Sequence, residues 1–141
     1  NLLNDTLNLQ YTQYIGRAAF DPATGFIAAS SCAHLPADPG NFANRDQSRH
    51  WWMTQALAPV TGHDCDREAF IGPYGGFHAP AALIAGACTG SPGFSDNPCG
   101  ALQSDLTLAP GQSADVLVLL GIGQADTDGA RVRAEFGTLA A

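Results

Sequence analysis

Apolar and polar positions alternate most sharply between Leu102 and Leu108. Leu102, Leu106 and Leu108 fall on one side, and Gln103, Asp105 and Thr107 fall on the other. A period of two marks a half-buried strand. Val116 to Leu120 is apolar at every position, which fits a strand buried on both faces. Ala109-Pro110-Gly111-Gln112 lies between them and reads as a turn. The pattern predicts a hairpin that pairs Gly100–Ala109 with Ser113–Ile122.

The rest of the chain gives shorter signals. Leu7 to Ile15 is rich in Tyr and Thr and reads as a strand. Asp21-Pro22-Ala23-Thr24-Gly25 is a turn, because Pro sets one φ and Gly permits a positive one. Phe26 to Ser31 then returns as the second arm of a hairpin. Leu35 to Asp46 reads as a loop, His50 to Ala56 as a strand, and Pro59 to Asp64 as a turn-rich connection. Asp64 or Asp66 is placed to cap one helical turn that runs through Phe70. Gly72 to Gly76 ends that turn. Pro80 to Ala87 is small and apolar without a period, and Gly90 to Gly100 reads as another loop. Beyond Gly123, Asp126 to Phe136 is weakly helical, with Asp126 as its cap. The 16 Gly and 9 Pro are spread along the whole chain. Such spacing interrupts helices and favours short strands joined by turns. The expected class is all-β, an antiparallel sandwich with a short C-terminal helix.

Composition adds constraints. The 141 residues suit one domain with one core. Charged residues make up 13 %, against roughly a quarter in ordinary soluble domains. Part of the surface is therefore expected to lie against another domain or subunit. A net charge of -7 argues against binding a phosphate backbone, so no nucleic-acid partner is expected. All six basic residues are Arg, which reflects composition more than mechanism. No apolar run is long enough for a membrane helix, and no membrane contact is expected. Cys32, Cys65, Cys88 and Cys99 allow three pairings. Their low density points to free thiols and a cytoplasmic setting. The chain opens on Asn1 rather than Met, so a processed or internal start is expected.

Several clusters invite chemistry. Asp64, Asp66 and Glu68 offer carboxyls for glycoside hydrolysis, which requires a pair about 5–5.5 Å or about 6.5–9.5 Å apart around the sugar. The competing reading is a capped turn with Arg67 pairing a neighbour. Cys32-x-His34 and His63-x-Cys65 place ligands at i and i+2, on one face of an extended chain, as a zinc site would need. No Cys-x-x-Cys supports it, and separate thiols and histidines are the simpler account. Trp51 and Trp52 must point to opposite faces of their strand, so one belongs to a second packing layer, an interface or a sugar-stacking surface. There is no Gly-x-Ser-x-Gly elbow and no phosphate-binding Gly-x-x-x-x-Gly-Lys loop. The chain has no Lys for Schiff-base chemistry. Gly121-Ile122-Gly123 lacks the third glycine of a dinucleotide fingerprint. No catalytic residue, metal or cofactor is assigned to this chain.

An ordered series of motifs carries a family resemblance. It runs through Asp21 to Ala29, Val60-Thr61-Gly62 and Asp66-Arg67-Glu68-Ala69-Phe70-Ile71-Gly72. It continues through Pro80-Ala81-Ala82-Leu83, Asn97-Pro98-Cys99-Gly100-Ala101-Leu102-Gln103 and Leu108-Ala109-Pro110-Gly111-Gln112. It ends at Leu119-Leu120-Gly121-Ile122-Gly123. Over residues 7 to 136 the chain resembles the amino-terminal β-sandwich of glycoside hydrolase family 94, which holds cellobiose phosphorylases and cyclic β-1,2-glucan synthases. The resemblance implies a partial galactose-mutarotase-like supersandwich over residues 1–123, with its first strands preceding this segment. Residues 124–141 would then begin a helical linker toward an (α/α)6 barrel. In the family that barrel carries the general acid, and inorganic phosphate attacks with inversion. The implied role is a non-catalytic module, or alternatively an autonomous carbohydrate-binding module. A homodimer and a β-glucan or gluco-disaccharide substrate of the parent enzyme are the implied partners. Trp51, Trp52, Asp66, Arg67 and Tyr74 are the expected substrate-binding residues. Many members have Arg after the Phe-(Leu/Ile)-Gly step, where this chain has Pro73-Tyr74-Gly75-Gly76.

Overall fold

The computed structural model describes residues 13–34, 46–95 and 98–138. Its strands are β1 (Gln13–Asp21), β2 (Phe26–His34), β3 (Asp46–Ala56), β4 (Gly62–Asp66), β5 (Gly93–Ser95), β6 (Pro98–Gln103) and β7 (Leu117–Ile122). Among the described residues three short helices accompany them: α1 (Arg67–Ile71), α2 (Ala81–Ala85) and α3 (Ala130–Phe136). A π-helical turn, Ala125–Gly129, leads into α3. The strands form an antiparallel sheet in the order β5-β1-β2-β3-β7 and a two-stranded sheet of β4 and β6. The architecture is the expected antiparallel sandwich with a short C-terminal helix.

The first hairpin follows from its turn chemistry. The Asp21 carboxylate accepts the Ala23 N–H at 2.9 Å and the Thr24 hydroxyl at 2.7 Å. Gly25 takes φ 74° and donates its N–H to the Asp21 carbonyl at 2.7 Å. A side chain at that φ would be strained, so the turn needs its glycine. The pairing then runs from Asp21–Phe26 to Gln13–His34. Of the expected strand Leu7–Ile15, only its last three positions lie among the described residues, and they open β1. The expected loop Leu35–Asp46 lies outside them up to Arg45, and Asp46 already begins β3.

The large sheet has two different faces. Ala18, Phe20, Ile27, Ala29 and Met53 share one of them, and Cys65 and Leu102 from the small sheet pack against it. Phe20 also stacks on His63 of β4, with ring centroids 4.4 Å apart. On the other face the π-turn and α3 cover Phe26 and Trp52. These two rings meet edge to face at 5.9 Å, an arrangement that adds about 0.5–1.5 kcal/mol beyond area burial. Gly129 passes so close that a Cβ there would lie 2.8 Å from the Phe26 ring. Arg133 fixes α3 by donating to the Thr24 carbonyl at 2.6 Å, with its guanidinium 5.6 Å from the centre of the Phe26 ring.

The expected hairpin does not form. β6 ends at Gln103 and pairs with β4, through His63–Leu102 and Asp64–Ala101. β7 pairs instead with β3, through Trp52–Gly121 and Trp51–Ile122. The intervening residues 104–116 are not strand, although the turn within them is real: Gln112 donates to the Ala109 carbonyl at 2.9 Å. Two side-chain fits explain the outcome. The Trp52 ring lies where a Cβ of residue 121 would be, at 2.1 Å, so β3 accepts a glycine opposite Trp52. Gln103 closes β6 by accepting the Cys88 N–H at 2.8 Å and donating to the Gly86 carbonyl at 3.2 Å. β7 is not buried on both faces either. It alternates, with Val118, Leu120 and Ile122 exposed.

Smaller differences occur elsewhere along the chain. Pro59–Asp64 contains the start of β4 rather than only turns, and the Gly90–Gly100 stretch contains β5 and the start of β6. Pro80–Ala87 holds α2, a single turn too short to show a period, which ends on Gly86 at φ 74°. The helix near the C-terminus is not capped by Asp126. Asp128 instead accepts the Gln124 N–H at 2.9 Å.

Candidate functional site

The acidic cluster is built into the scaffold. Asp64 is completely buried. Its carboxylate accepts the Thr89 N–H at 3.0 Å and hydroxyl at 2.6 Å, and the Ser91 N–H at 3.1 Å and hydroxyl at 2.8 Å. Burial opposes its ionisation, but the bonds from Thr89 and Ser91 prevail and hold its pKa below the ordinary carboxylate range. The same loop bonds to β4 through Gly90 N–H to the His63 carbonyl and Cys65 N–H to the Ser91 carbonyl. Asp66 is the N-cap of α1 and accepts from Glu68 N–H at 2.7 Å and Ala69 N–H at 3.1 Å. Asp64 and Asp66 thus both accept from groups of the scaffold, and only Asp66 caps a helical turn.

The thiols beside it are held toward the protonated form. Cys65, Cys88 and Cys99 are unpaired. Burial first, then the nearby Cys99 and Asp64, push Cys65 up to about 11. Burial and then Asp64 push Cys88 up to about 11 as well. The side chains of Cys32 and His34 lie outside the description, so the four-ligand zinc arrangement is not described. Among the described residues no group of three or more His, Cys, Asp or Glu side chains gathers for a metal.

The five expected binding residues do not converge. Trp51 and Trp52 do point to opposite faces. Trp52 is 3 % exposed in the layer under α3, and its Nε1–H has no partner among the described residues. It supports the sheet and offers no ring to solvent. Trp51 is 39 % exposed and borders an apolar groove of about 430 Å³ with Ala29, Met53, Pro98, Gly100 and Leu120. Asp66 is occupied by its cap. Arg67 projects from α1 and stacks its guanidinium 5.3 Å from the centre of the Phe77 ring. Tyr74 is fully exposed and sits at φ 59°, a left-handed conformation unusual for an aromatic residue. Arg67, Tyr74 and Phe77 thus mark one exposed loop, and neither Arg67 nor Tyr74 lines the Trp51 groove. Phe77 and Met53 escaped the sequence signals because neither sits in a motif, and Leu120 sits in one whose role depends on which strands pair.

A buried acid scaffold, two aromatic surfaces and an antiparallel sandwich define the class, a β-sandwich module. The family described as glycosyl hydrolase 94, supersandwich domain, matches residues 1–138, and the chain belongs to it. The chain is 31 % identical over 98 residues to an N,N'-diacetylchitobiose phosphorylase of Vibrio furnissii, covering 70 % of this chain and 12 % of that protein. It is 41 % identical over 56 residues to a 3-O-β-D-glucopyranosyl-β-D-glucuronide phosphorylase of Paenibacillus borealis, covering 40 % of this chain and 7 % of that one. It is 38 % identical over 63 residues to the cyclic β-(1,2)-glucan synthase NdvB of Rhizobium meliloti (strain 1021), covering 44 % of this chain and 2 % of the synthase. The chain therefore spans a small fraction of the length of these relatives. No helix among its described residues is long and apolar enough to cross a membrane.

Proposed function

We propose that this chain is the non-catalytic sandwich module of a glycoside phosphorylase or cyclic β-glucan synthase. It shapes a β-glucoside site together with an (α/α)6 barrel. In this reading residues 1–123 form the sandwich and residues 124–141 lead toward the barrel. The barrel supplies the acid and receives inorganic phosphate as co-substrate, and the module lies at a homodimer interface in the cytoplasm. The observation that carries the reading is the family match over residues 1–138. The engagement of Asp64 and Asp66 within the scaffold agrees with it, because it leaves neither as an acid or base.

The test is direct. The purified chain, given β-linked gluco-disaccharides and inorganic phosphate, should release no sugar 1-phosphate. In the parent enzyme, Trp51→Ala and Tyr74→Ala should raise KM about tenfold, the scale expected for losing a stacking ring. Phosphorolysis by the chain alone would refute the reading. The exposed Trp51, Tyr74 and Phe77 favour one alternative, an autonomous carbohydrate-binding module. Calorimetry with β-1,2- and β-1,4-gluco-oligosaccharides separates the two, because only that alternative gives heat with the isolated chain at millimolar sugar.

A further inference from the structure

Cys65 and Cys99 face each other across an irregularity in the small sheet. β4 and β6 pair as Asp64–Ala101 and then as Asp66–Pro98, so the register slips by one residue between them. Cys65 therefore stands opposite Cys99 and Gly100 together, as at a β-bulge. Residues opposed in an antiparallel ladder have Cα atoms about 4.5–5.5 Å apart, within the roughly 4.4–6.8 Å that a disulfide spans. The side chains share a face as well. Cys65 packs against Ala18 and Ile27, and Cys99 lines a groove with the same two residues. Cys99 donates its thiol to the Asp64 carbonyl at 3.7 Å, which brings its sulfur to the peptide that joins Asp64 to Cys65. Cys88 sits elsewhere. Its neighbour is the Asp64 carboxylate, which strand alternation turns away from Cys65.

The two thiols differ in access. Cys65 has no exposed surface. Cys99 is half-buried and lines the groove of about 430 Å³ beside Trp51, which has room for a small oxidant. Burial first, then Asp64 and Asp66, raise the Cys99 pKa, and the Arg67 guanidinium offsets part of that rise.

We propose that Cys99 is an oxidation site and that Cys65 resolves it, so that a peroxide converts the pair into a disulfide. The Cys99 sulfur attacks one peroxide oxygen, the O–O bond breaks, and a sulfenic acid and one water form. The Cys65 sulfur then attacks the sulfenic sulfur, the S–O bond breaks, and the oxygen leaves as a second water with the Cys65 proton. Each sulfur gives up one electron, and one peroxide is reduced to two waters. The new bond closes residues 66–98 into a loop. That loop carries α1, the exposed Tyr74 and Phe77, α2 and β5. Oxidation thus pins, at its two roots, the segment that displays both rings.

The test is to treat the 141-residue chain with excess hydrogen peroxide, alkylate the remaining thiols in urea and map the peptides by mass spectrometry. The expected product is a single chain lighter by two hydrogens before alkylation, with Cys65 joined to Cys99 and with Cys32 and Cys88 alkylated. Dithiothreitol should undo the link. Closing that loop should raise Tm by about 6–12 °C. Cys65→Ala should leave Cys99 as a sulfenic acid that dimedone captures. Cys99→Ser keeps a donor for the Asp64 carbonyl, so it should fold as the wild type does and form no link. Should Cys65→Ala not fold, Cys99→Ser carries the comparison alone. A link through Cys32 or Cys88, a link between two chains, or a folded chain whose Cys65 stays free after peroxide treatment would each overturn the proposal.

Discussion

Replacing Asp64 tests whether the acidic cluster is scaffold. Asp64→Ala removes the acceptor of two backbone N–H groups and two hydroxyls, from Thr89 and Ser91. The Thr89 hydroxyl can turn toward water, because Thr89 is exposed. The two amides are held by the chain and cannot follow. Each orphaned donor costs about 1–3 kcal/mol, so the variant should lose about 2–6 kcal/mol, a large share of the roughly 5–15 kcal/mol of a typical domain. For a chain of this size that is a fall in Tm of roughly 6–18 °C. Asp64→Asn keeps one acceptor oxygen but aims an amide N–H₂ at other donors, and should fall between. The native carboxyl is held below its ordinary pKa, so its stabilisation is present above about pH 4, the unfolded value. It is lost as pH falls through the native pKa. The stability gap between the wild type and Asp64→Asn, measured by urea titration, should therefore be constant near pH 7 and narrow as pH falls below about 4. A stability difference under about 0.5 kcal/mol at neutral pH, or a larger one that ignores pH, would refute the account.

Three further outcomes are expected. Asp66→Ala removes the cap of α1 and should cost about 1 kcal/mol, with faster hydrogen exchange at the Glu68 and Ala69 amides; unchanged exchange would contradict the cap. Gly121→Ala drives a Cβ into the Trp52 ring and should cost about 1–3 kcal/mol or more by urea titration, with a shifted Trp fluorescence maximum. Cys65 and Cys88 keep their protons more tightly in the folded chain, so their stabilisation is complete below about pH 9 and is lost as pH rises toward about 11. Thiol alkylation at pH 8 should accordingly be slow for both until urea unfolds the chain, and rapid labelling of native Cys65 would contradict its burial.

The legible parts of this fold were those whose cause is local. The Asp21–Gly25 turn contains its own acceptor, its own donors and its own glycine, so its own five residues decide it. The cap at Asp66 and the opposed Trp51 and Trp52 are local in the same sense. The hairpin across Ala109–Gln112 failed because strand partners are chosen by distant fits. Alternation at Leu102–Leu108 says that one side is apolar, not that anything covers it, and Leu106 and Leu108 remain exposed. The expected binding residues failed to converge for a related reason. Sequence order placed them near one another, whereas strand parity and the cap sent Trp52 and Asp66 into the scaffold.

Gly121 shows how a motif can be visible while its meaning is not. Leu119-Leu120-Gly121-Ile122-Gly123 was legible as part of an ordered series, yet locally Gly121 marks only the end of an apolar run. In three dimensions its missing Cβ makes room for the Trp52 ring and thereby selects β3 as the partner of β7. That choice puts Val118, Leu120 and Ile122 on the same face as Trp51. A glycine that fits one tryptophan thus determines which apolar residues the module leaves outward. The apolar surface left outward is therefore fixed by packing on the opposite side of the same sheet. Substituting Gly121 should disturb both faces, and substituting Leu120 only one.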